Sequence, residues 1–351
     1  MDWIGVDCHK WQHTAALLNG QGQVVDTWHG AATPAAWQEL LDWASRFREQ
    51  RHWGIEGSGH YGRGLAQFLV AQGETVVEVN TRLTVLGRRH RGSLQKSDSQ
   101  DAAAIAAVVR DQAARLPPIQ VEDASAVLAL LTRERDDLQA AATRMRNQLH
   151  ALLQQAEPGA PKARLRRPKD LQAWRDYPPA STDPLVQVRA ARIRRRARQL
   201  AGLLEEIDDL EQQIETAAPV LAAPLTEIVG VGKLTAGMLA GYLGPGRRFA
   251  SDRQLAAYAG VAPLEVSSAG QVRHRLNRNG HRQLNAIVHR IALSQLRHSA
   301  EAQAYLAKRI GQGKSHRDAV RALKRYIVRR IYNQWQQCLP HLAPQLEAAG
   351  A

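Results

Sequence analysis

The sequence predicts an α/β domain at the N-terminus joined to an all-α remainder. Two observations carry this reading. Up to about residue 112, short apolar or alternating runs interchange with amphipathic ones, whereas from about 122 onward apolar residues recur at heptad-like helical spacing. A third observation bounds the architecture: 351 residues with 44% hydrophobic content are enough for two cores and a linking element.

The elements follow in order. WIGVD, HTAALLN and QVVDTWH, between residues 2 and 29, are parted by the polar and glycine breaks HKWQ and GQG, which predicts a three-stranded meander. After Thr33-Pro34, the spacing of Trp37, Leu40, Leu41 and Ala44 suits an amphipathic helix, and HWGIEG reads as a short buried strand ending in Glu56. YGRGLAQFLVAQ predicts a second helix and ETVVEVN a fifth strand. A basic loop, TRLTVLGRRHRGSLQKS, then leads into the helix DSQDAAAIAAVVRD, which starts near Asp98. The order βββαβαβα is that of an RNase H-like fold. Six of the eight tryptophans fall within the first 53 residues, where they are expected to pack the core.

From about 122 to 217, Leu138, Ala142, Met145, Leu149 and Leu152, and later Leu200, Leu203, Ile207, Leu210 and Ile214, predict an antiparallel coiled-coil helical pair. Between the two, PGAPKARLRRPKD and DYPPASTDP read as a connecting loop rather than a core element. The region from about 224 to 340 reads as helical. The expected domains are therefore 1–120, 121–220 and 221–345.

Charge narrows the partners. Lys and Arg number 47 against 33 acids, a formal charge of +14, which favours a polyanion, with nucleic acid first. Residues 161–198 hold twelve Lys/Arg against three acids, and residues 273–330 hold fifteen against only Glu301 and Asp318. Charge runs often serve only solubility, but in the C-terminal stretch nucleic-acid contact outweighs it. Arg194, Arg195, Arg196, Lys233, Arg273, Arg275, Arg278 and Arg282 are the expected nucleic-acid-binding residues. No run of about twenty apolar residues occurs and MDWIGVDCHK lacks a signal-peptide plan, so no membrane partner is expected and the protein is expected in the cytoplasm. Cys8 and Cys338 lie far apart with no CxxC, which predicts free thiols and neither a disulfide framework nor structural zinc.

Four acids lie where such a fold gathers them. Asp7 sits on the first strand, Glu56 ends the fourth, and Asp98 and Asp101, spaced i and i+3, share one face of the helix they open. Alone, Asp98 reads better as a helix cap. As a set, carboxylates at the ends of buried strands are costly without a cation, and paired hard oxygen ligands suit catalytic Mg²⁺, with Mn²⁺ as the alternative.

The C-terminal segment IVGVGKLTAGMLA has the form of a helix-hairpin-helix, a glycine turn between two helices whose exposed N–H groups suit a DNA phosphate. It is not a P-loop, since Glu227 stands five before Gly232 and Leu follows Lys233, so no nucleotide hydrolysis is expected. Further on, AYAGVAPLEVSSAGQVRHRLNRNGHRQLN reads as a small-residue loop bearing Ser267 and Ser268, followed by Arg273, Arg275, Arg278 and Arg282. Serine is common in turns, and its presence alone shows no activation.

IGVDCHK, GIEGSGHYG and KSDSQDAAAIA resemble the three N-terminal blocks of the DEDD transposases of bacterial insertion sequences, the insertion sequence 110 group. EIVGVGKLTAGMLAGYLG, FASDRQLAAYAGVAP and SSAGQVRHRLNRNGHRQLNAIV resemble that family's C-terminal blocks, in the same order and spacing. The resemblance covers nearly the whole chain. It implies a RuvC-like catalytic domain, a coiled-coil region and a C-terminal transposase domain. It also implies that Ser268, five residues after the block's proline, is a nucleophile acting with Asp7, Glu56, Asp98 and Asp101. SSAG departs from the SSGG or SG of relatives at residue 269 without touching the hydroxyl. The expected activity is DNA recombination between donor and target DNA through a phosphoserine, in a dimer or tetramer guided by a structured (bridge) RNA. The rivals are a Holliday-junction-type or structure-selective nuclease that uses water, and a non-enzymatic nucleic-acid-binding protein.

Overall fold

Alternation of buried and exposed residues builds a five-stranded mixed sheet from β1 (Asp2–Cys8), β2 (Gln12–Leu18), β3 (Val24–Ala31), β4 (Arg51–Glu56) and β5 (Thr75–Val79). The structure, a computed structural model, describes residues 1–48, 50–81, 83–84, 97–246, 248–262, 264–268, 271–275 and 280–342, with 115, 264–268, 271–275 and 341 described as backbone alone. Most of the predicted basic loop at 81–97 lies outside the described residues. The sheet order is β3-β2-β1-β4-β5. β1 pairs antiparallel with β2 and β2 with β3, while β4 runs parallel to both β1 and β5. The predicted α/β layout of the N-terminal region is found, element for element.

Helix α1 (Pro34–Ser45) starts where the Thr33 hydroxyl accepts a hydrogen bond from the Ala36 N–H and Pro34 takes the first helical position. With α2 (Arg63–Ala71) it covers one sheet face, burying Ile4, Val6, Leu17, Leu40, Trp43, Trp53, Ile55, Leu65 and Leu69 in one cluster. Helix α3 (Asp98–Gln112) covers the other face, where alanines of its AAAIAA run meet Ala16 and Leu18, and Ile105, Val108 and Val109 meet Val77 and Val79.

Two glycines let α3 lie this close. Gly5 and Gly54 are paired neighbours on β1 and β4. A Cβ on Gly5 would stand 2.2 Å from the Ala102 carbonyl oxygen and the Ala106 nitrogen, and one on Gly54 2.2 Å from Val109 Cγ2. Side chains two apart on a strand share a face, so Asp7 and Glu56 point to the same side as these glycines. The G-x-D and G-x-E steps therefore seat a helix and then present a carboxylate. Because the obstructing atoms are backbone, Gly5→Ala is expected to destabilise the protein by about 3 kcal/mol or more. Urea denaturation checks this; an unchanged midpoint would mean that α3 does not pack as described.

His13 on β2 is fully buried and stacks on Trp37 of α1 with ring centroids 6.5 Å apart. Burial, opposed by the Gln12 backbone, holds its pKa below the ordinary imidazole value. The unfolded chain then binds the proton more readily, so stability is fully present above pH about 6.5 and is lost as pH falls below it. His13→Phe, which keeps the stack, is expected to flatten this acid limb in melting curves taken between pH 5 and 8.

The chain divides into two compact units, Met1–Asp123 with Pro245–Ala250, and Ala124–Gly244 with Ser251 onward. In the second, α4 (Ser125–Ala156) and α6 (Pro184–Leu221) form the predicted helical pair. Arg135 near the start of α4 bonds Glu211 near the end of α6 at 2.6 Å, while Arg196 reaches the Met145 sulfur at 3.7 Å, so the two helices run antiparallel. Of the predicted seam, Ala142, Leu149, Leu152, Leu200, Ile207, Leu210 and Ile214 are buried.

The intervening segment is more than a connecting loop. It contains a 3-10 turn, Pro168–Leu171, and the short helix α5 (Gln172–Arg175). Its Leu165 and Leu171 are buried in the core of the helical pair.

After a 3-10 turn at Ala223–Glu227, Gly230 adopts φ +87° and α7 (Lys233–Leu243) begins. The first arm of the predicted helix-hairpin-helix is thus one 3-10 turn, short and carrying Pro224, which has no N–H to give. Helix α8 (Asp252–Tyr258) follows, then the strands β6 (Leu264–Ser268) and β7 (Gln271–Arg275), and the helices α9 (Arg282–His298), α10 (Ala300–Gly311) and α11 (His316–Leu342). The C-terminal region is therefore not all-α, and the serine segment is strand rather than loop. β6 and β7 pair antiparallel from Leu264↔Arg275 to Ser268↔Gln271. Among the described residues no helix is long and apolar enough to cross a membrane.

Candidate active site

β1 and β4 run parallel, so their C-terminal ends, carrying Asp7 and Glu56, reach the same sheet edge. The N-terminus of α3 meets that edge. Its N-cap is Ser97, whose hydroxyl accepts from the Gln100 N–H at 3.3 Å. Asp98 is therefore not used as a cap. Asp98 and Asp101 both lie in the first turn, where the positive end of the helix favours acids.

Asp7 is only 14% exposed at its side chain, against 42% for Asp98. Burial raises the proton affinity of the Asp7 carboxyl; His9 opposes this, while Asp101, Glu56 and Asp98 each raise it further. The other three predicted acids therefore all act on Asp7 at this edge. The donor atoms of Asp7, His9 and Asp98 lie within 4.8 Å of one another. His9 Nε2 is 3.2 Å from Asp7 Oδ2 and 3.6 Å from Asp98 Oδ1, bridging two carboxylates that would otherwise repel. Glu56 accepts a hydrogen bond from the buried Thr84 hydroxyl at 3.2 Å, and the Gln12 amide donates to Asp98 at 3.5 Å.

This donor set fits a divalent cation. Two hard carboxylate oxygens suit Mg²⁺ or Mn²⁺, and the imidazole nitrogen suits the softer transition metals better than Mg²⁺. His9 is the functional candidate that sequence reasoning missed; its only signal is its place two residues after Asp7, at the end of β1. The expectation that most of the early tryptophans are packing holds: Trp43 and Trp53 are buried and Trp3, Trp28 and Trp37 pack against the core, while Trp11 does not. Beside His9, Trp11 is 77% exposed, with Lys10 Nζ 4.6 Å from its ring centroid.

In the second unit, Ser267 and Ser268 are neighbours on β6, and Arg273 and Arg275 lie on β7. Arg278 lies outside the described residues. Arg282 is exposed at the start of α9, and Lys233 is exposed at the start of α7. His281 caps α9 by accepting from the Leu284 N–H at 3.2 Å, with its ring beside those of Tyr242 and Tyr258. On α6, Arg194 donates to the Tyr177 carbonyl at 2.9 Å and Arg196 to Gln199 at 3.0 Å, whereas Arg195 is exposed. Cys8 and Cys338 are free and buried, and burial raises both thiols.

Residues 4–158 match the family model of the IS110-type DEDD transposases, described as a transposase, and residues 222–307 match a model described as the transposase IS116/IS110/IS902 family. The chain is 27% identical to the 44.8 kDa protein of insertion element IS116 from Streptomyces clavuligerus, over 95% of this chain and 93% of that protein. It is 29% identical to the 43.6 kDa protein of insertion element IS110 from Streptomyces coelicolor, over 66% of this chain and 68% of the relative. It is also 29% identical to the transposase for insertion sequence element IS1328 from Yersinia enterocolitica, over about half of each chain (50% and 51%). One model takes in the sheet with its acidic edge and the other the start of the C-terminal region; the chain belongs to the IS110/IS116 family of insertion-sequence transposases and is a DNA recombinase.

Proposed function

We propose that the protein cuts and rejoins DNA through a phosphoserine on Ser268, assisted by a divalent cation held by the acids at the end of β1. The observation that carries the reading is the Asp7–His9–Asp98 donor set beside Glu56 and Asp101. The strand order β3-β2-β1-β4-β5, with α3 on the face of β1 that bears Asp7, supports assigning the first unit to the RNase H-like class. Asp7 and Asp98 hold the ion, with His9, Glu56 and Asp101 completing or orienting its surroundings. A bound Mg²⁺ or Mn²⁺ supplies Lewis-acid stabilisation of charge on the reacting phosphate.

The protein's own groups do the rest. The Ser268 oxygen forms a bond to phosphorus as the P–O bond to one DNA end breaks; the hydroxyl proton passes to a base, and the departing oxygen takes up a proton. In the reverse sense, the hydroxyl of a second DNA end attacks phosphorus and the serine leaves. One ester replaces another at each step, so no ATP is needed. Acids and serine belong to different units, so the reaction requires the serine domain of the same chain or of a neighbouring subunit to meet the acidic edge. A composite site of this kind fits a dimer or tetramer. The family resemblance implies a structured guide RNA as well as donor and target DNA, and the formal charge of +14 accommodates both nucleic acids.

The test is to incubate the protein, Mg²⁺ or Mn²⁺ and end-labelled element-end DNA, with RNA co-purified from cells. Joined strands and a denaturation-resistant protein–DNA adduct are expected. Metal-dependent cleavage to free ends alone would mean a water-using nuclease.

A further inference from the structure

Beyond the cutting chemistry, the second unit carries a built cationic cleft on the helical pair. Its volume is about 790 Å³, between α4 and the segment at 162–170, and Arg146, Lys162, Arg164, Arg166, Arg167 and Lys169 line it. The scaffold is fixed. Leu165 and Leu171 are plugged into the helical core, and the Arg146 guanidinium donates to the Leu165 carbonyl at 2.8 Å. Asp170, the one acid lining the cleft, is occupied by the backbone N–H groups of Arg166 and Arg167, both at 3.1 Å. Lys162, Arg164, Arg166, Arg167 and Lys169 are exposed and make no ion pair among the described residues. Six cations thus face one carboxylate whose hydrogen-bonding capacity is partly spent. His150 reports the same field, its pKa held below the usual imidazole value by burial, Lys162 and Arg146.

A second cavity of about 680 Å³ shares Asn147, His150, Lys162 and Ala163 with the first. It adds apolar surface: Leu153, Ala160 and the ring of Trp174, which tilts against Tyr177 at 5.8 Å. Its acid is Glu157, at the end of α4. A phosphate-binding cleft joined to an aromatic-lined one has the chemistry of a nucleotide unit, cations for the phosphodiester and a ring for the base. A duplex keeps its bases stacked inside and would have to unpair and unstack one to fill such a recess.

We infer that this double cleft binds a single-stranded nucleic acid, phosphates against Arg164, Arg166 and Arg167 and a base against Trp174. The site is independent of the serine and the acids, so catalytic variants should keep it. It also differs from a merely solvated charge run, because its cations sit on a segment pinned into the core.

The experiment measures binding of fluorescent 12-mer single-stranded RNA, single-stranded DNA and duplex DNA by the full-length chain between 50 and 200 mM salt. The comparison is between wild type and an Arg164→Ser, Arg166→Ser, Arg167→Ser variant. The C-terminal cations act equally in both proteins, so the difference is the readout. Losing three phosphate contacts is expected to lower the single-strand salt slope by about 2. Affinity for single strands is expected to fall by at least about tenfold, with little change for duplex. Trp174→Ala is expected to weaken single-strand binding about tenfold without changing the slope, and Trp174→Phe to restore it. A stronger effect on RNA than on DNA would assign the strand to RNA, and the converse to unpaired DNA; either supports the site. Unchanged affinity and slope in the triple arginine variant, or equal losses for duplex and single strand, would overturn it. Intact binding with lost recombination in Asp7→Asn would separate this site from the proposed chemistry.

Discussion

Asp7→Asn is expected to lower recombination by at least about 10²- to 10³-fold while raising the melting temperature of the metal-free protein. The two effects have one cause. Asn keeps the volume of Asp but not its charge, and burial already disfavours that charge more than His9 supports it, with Asp101, Glu56 and Asp98 adding repulsion. Without a cation the carboxylate is a liability, so its removal stabilises the fold. With a cation it is a ligand, so its removal abolishes linkage: wild type should gain about 2.7 kcal/mol of stability at a metal concentration a hundred times Kd, and the variant far less. Melting curves with and without Mn²⁺, and Mn²⁺ binding followed by electron paramagnetic resonance, check both halves. If Asp7 were only a structural partner of His9, the variant would melt lower and its response to metal would match wild type. Asp98→Asn should lose metal binding in the same way.

Much of this site is legible in the sequence because strand alternation is strict there. IGVD and WGIEG each place a glycine and an acid two apart, on one face of a buried strand, and the alanine run after Asp98 can approach glycines where larger residues cannot. His9 is not legible in the same way, since a histidine just past a strand end reads as a turn residue until the start of α3 is placed against it. The hairpin of β6 and β7 hides for a different reason. LEVSS and QVRHR alternate, but two serines, glutamate and arginines dilute the apolar positions, and small residues between them read as loop. The segment around Leu165 and Leu171 hides its anchors among prolines and arginines, so its composition describes the exposed cleft and not the two leucines that hold it in place.

Ser268→Ala is expected to abolish strand exchange and the covalent protein–DNA adduct while leaving metal and nucleic-acid binding intact. A serine hydroxyl is a poor nucleophile near neutral pH, so its proton must be removed with help, and the acidic edge with its cation is the source the reading assigns. Ser267 is the control. It is the other serine of the same strand, one residue away. Ser267→Ala should retain at least part of the exchange, and the pair of variants separates position from composition. Ser268→Cys adds a chemical test, since a thiolate attacks but forms a thioester of phosphate, so an adduct of altered stability is expected in place of efficient joining. The measurement is denaturing electrophoresis of end-labelled DNA followed by mass mapping of the modified tryptic peptide, expected to be Gln254–Arg273. An adduct that persists in Ser268→Ala, or one mapping to another residue, would remove Ser268 from the chemistry without touching the metal site. An adduct on Ser268 that forms equally well in Asp7→Asn would break the link between the two, leaving the serine active without the acids.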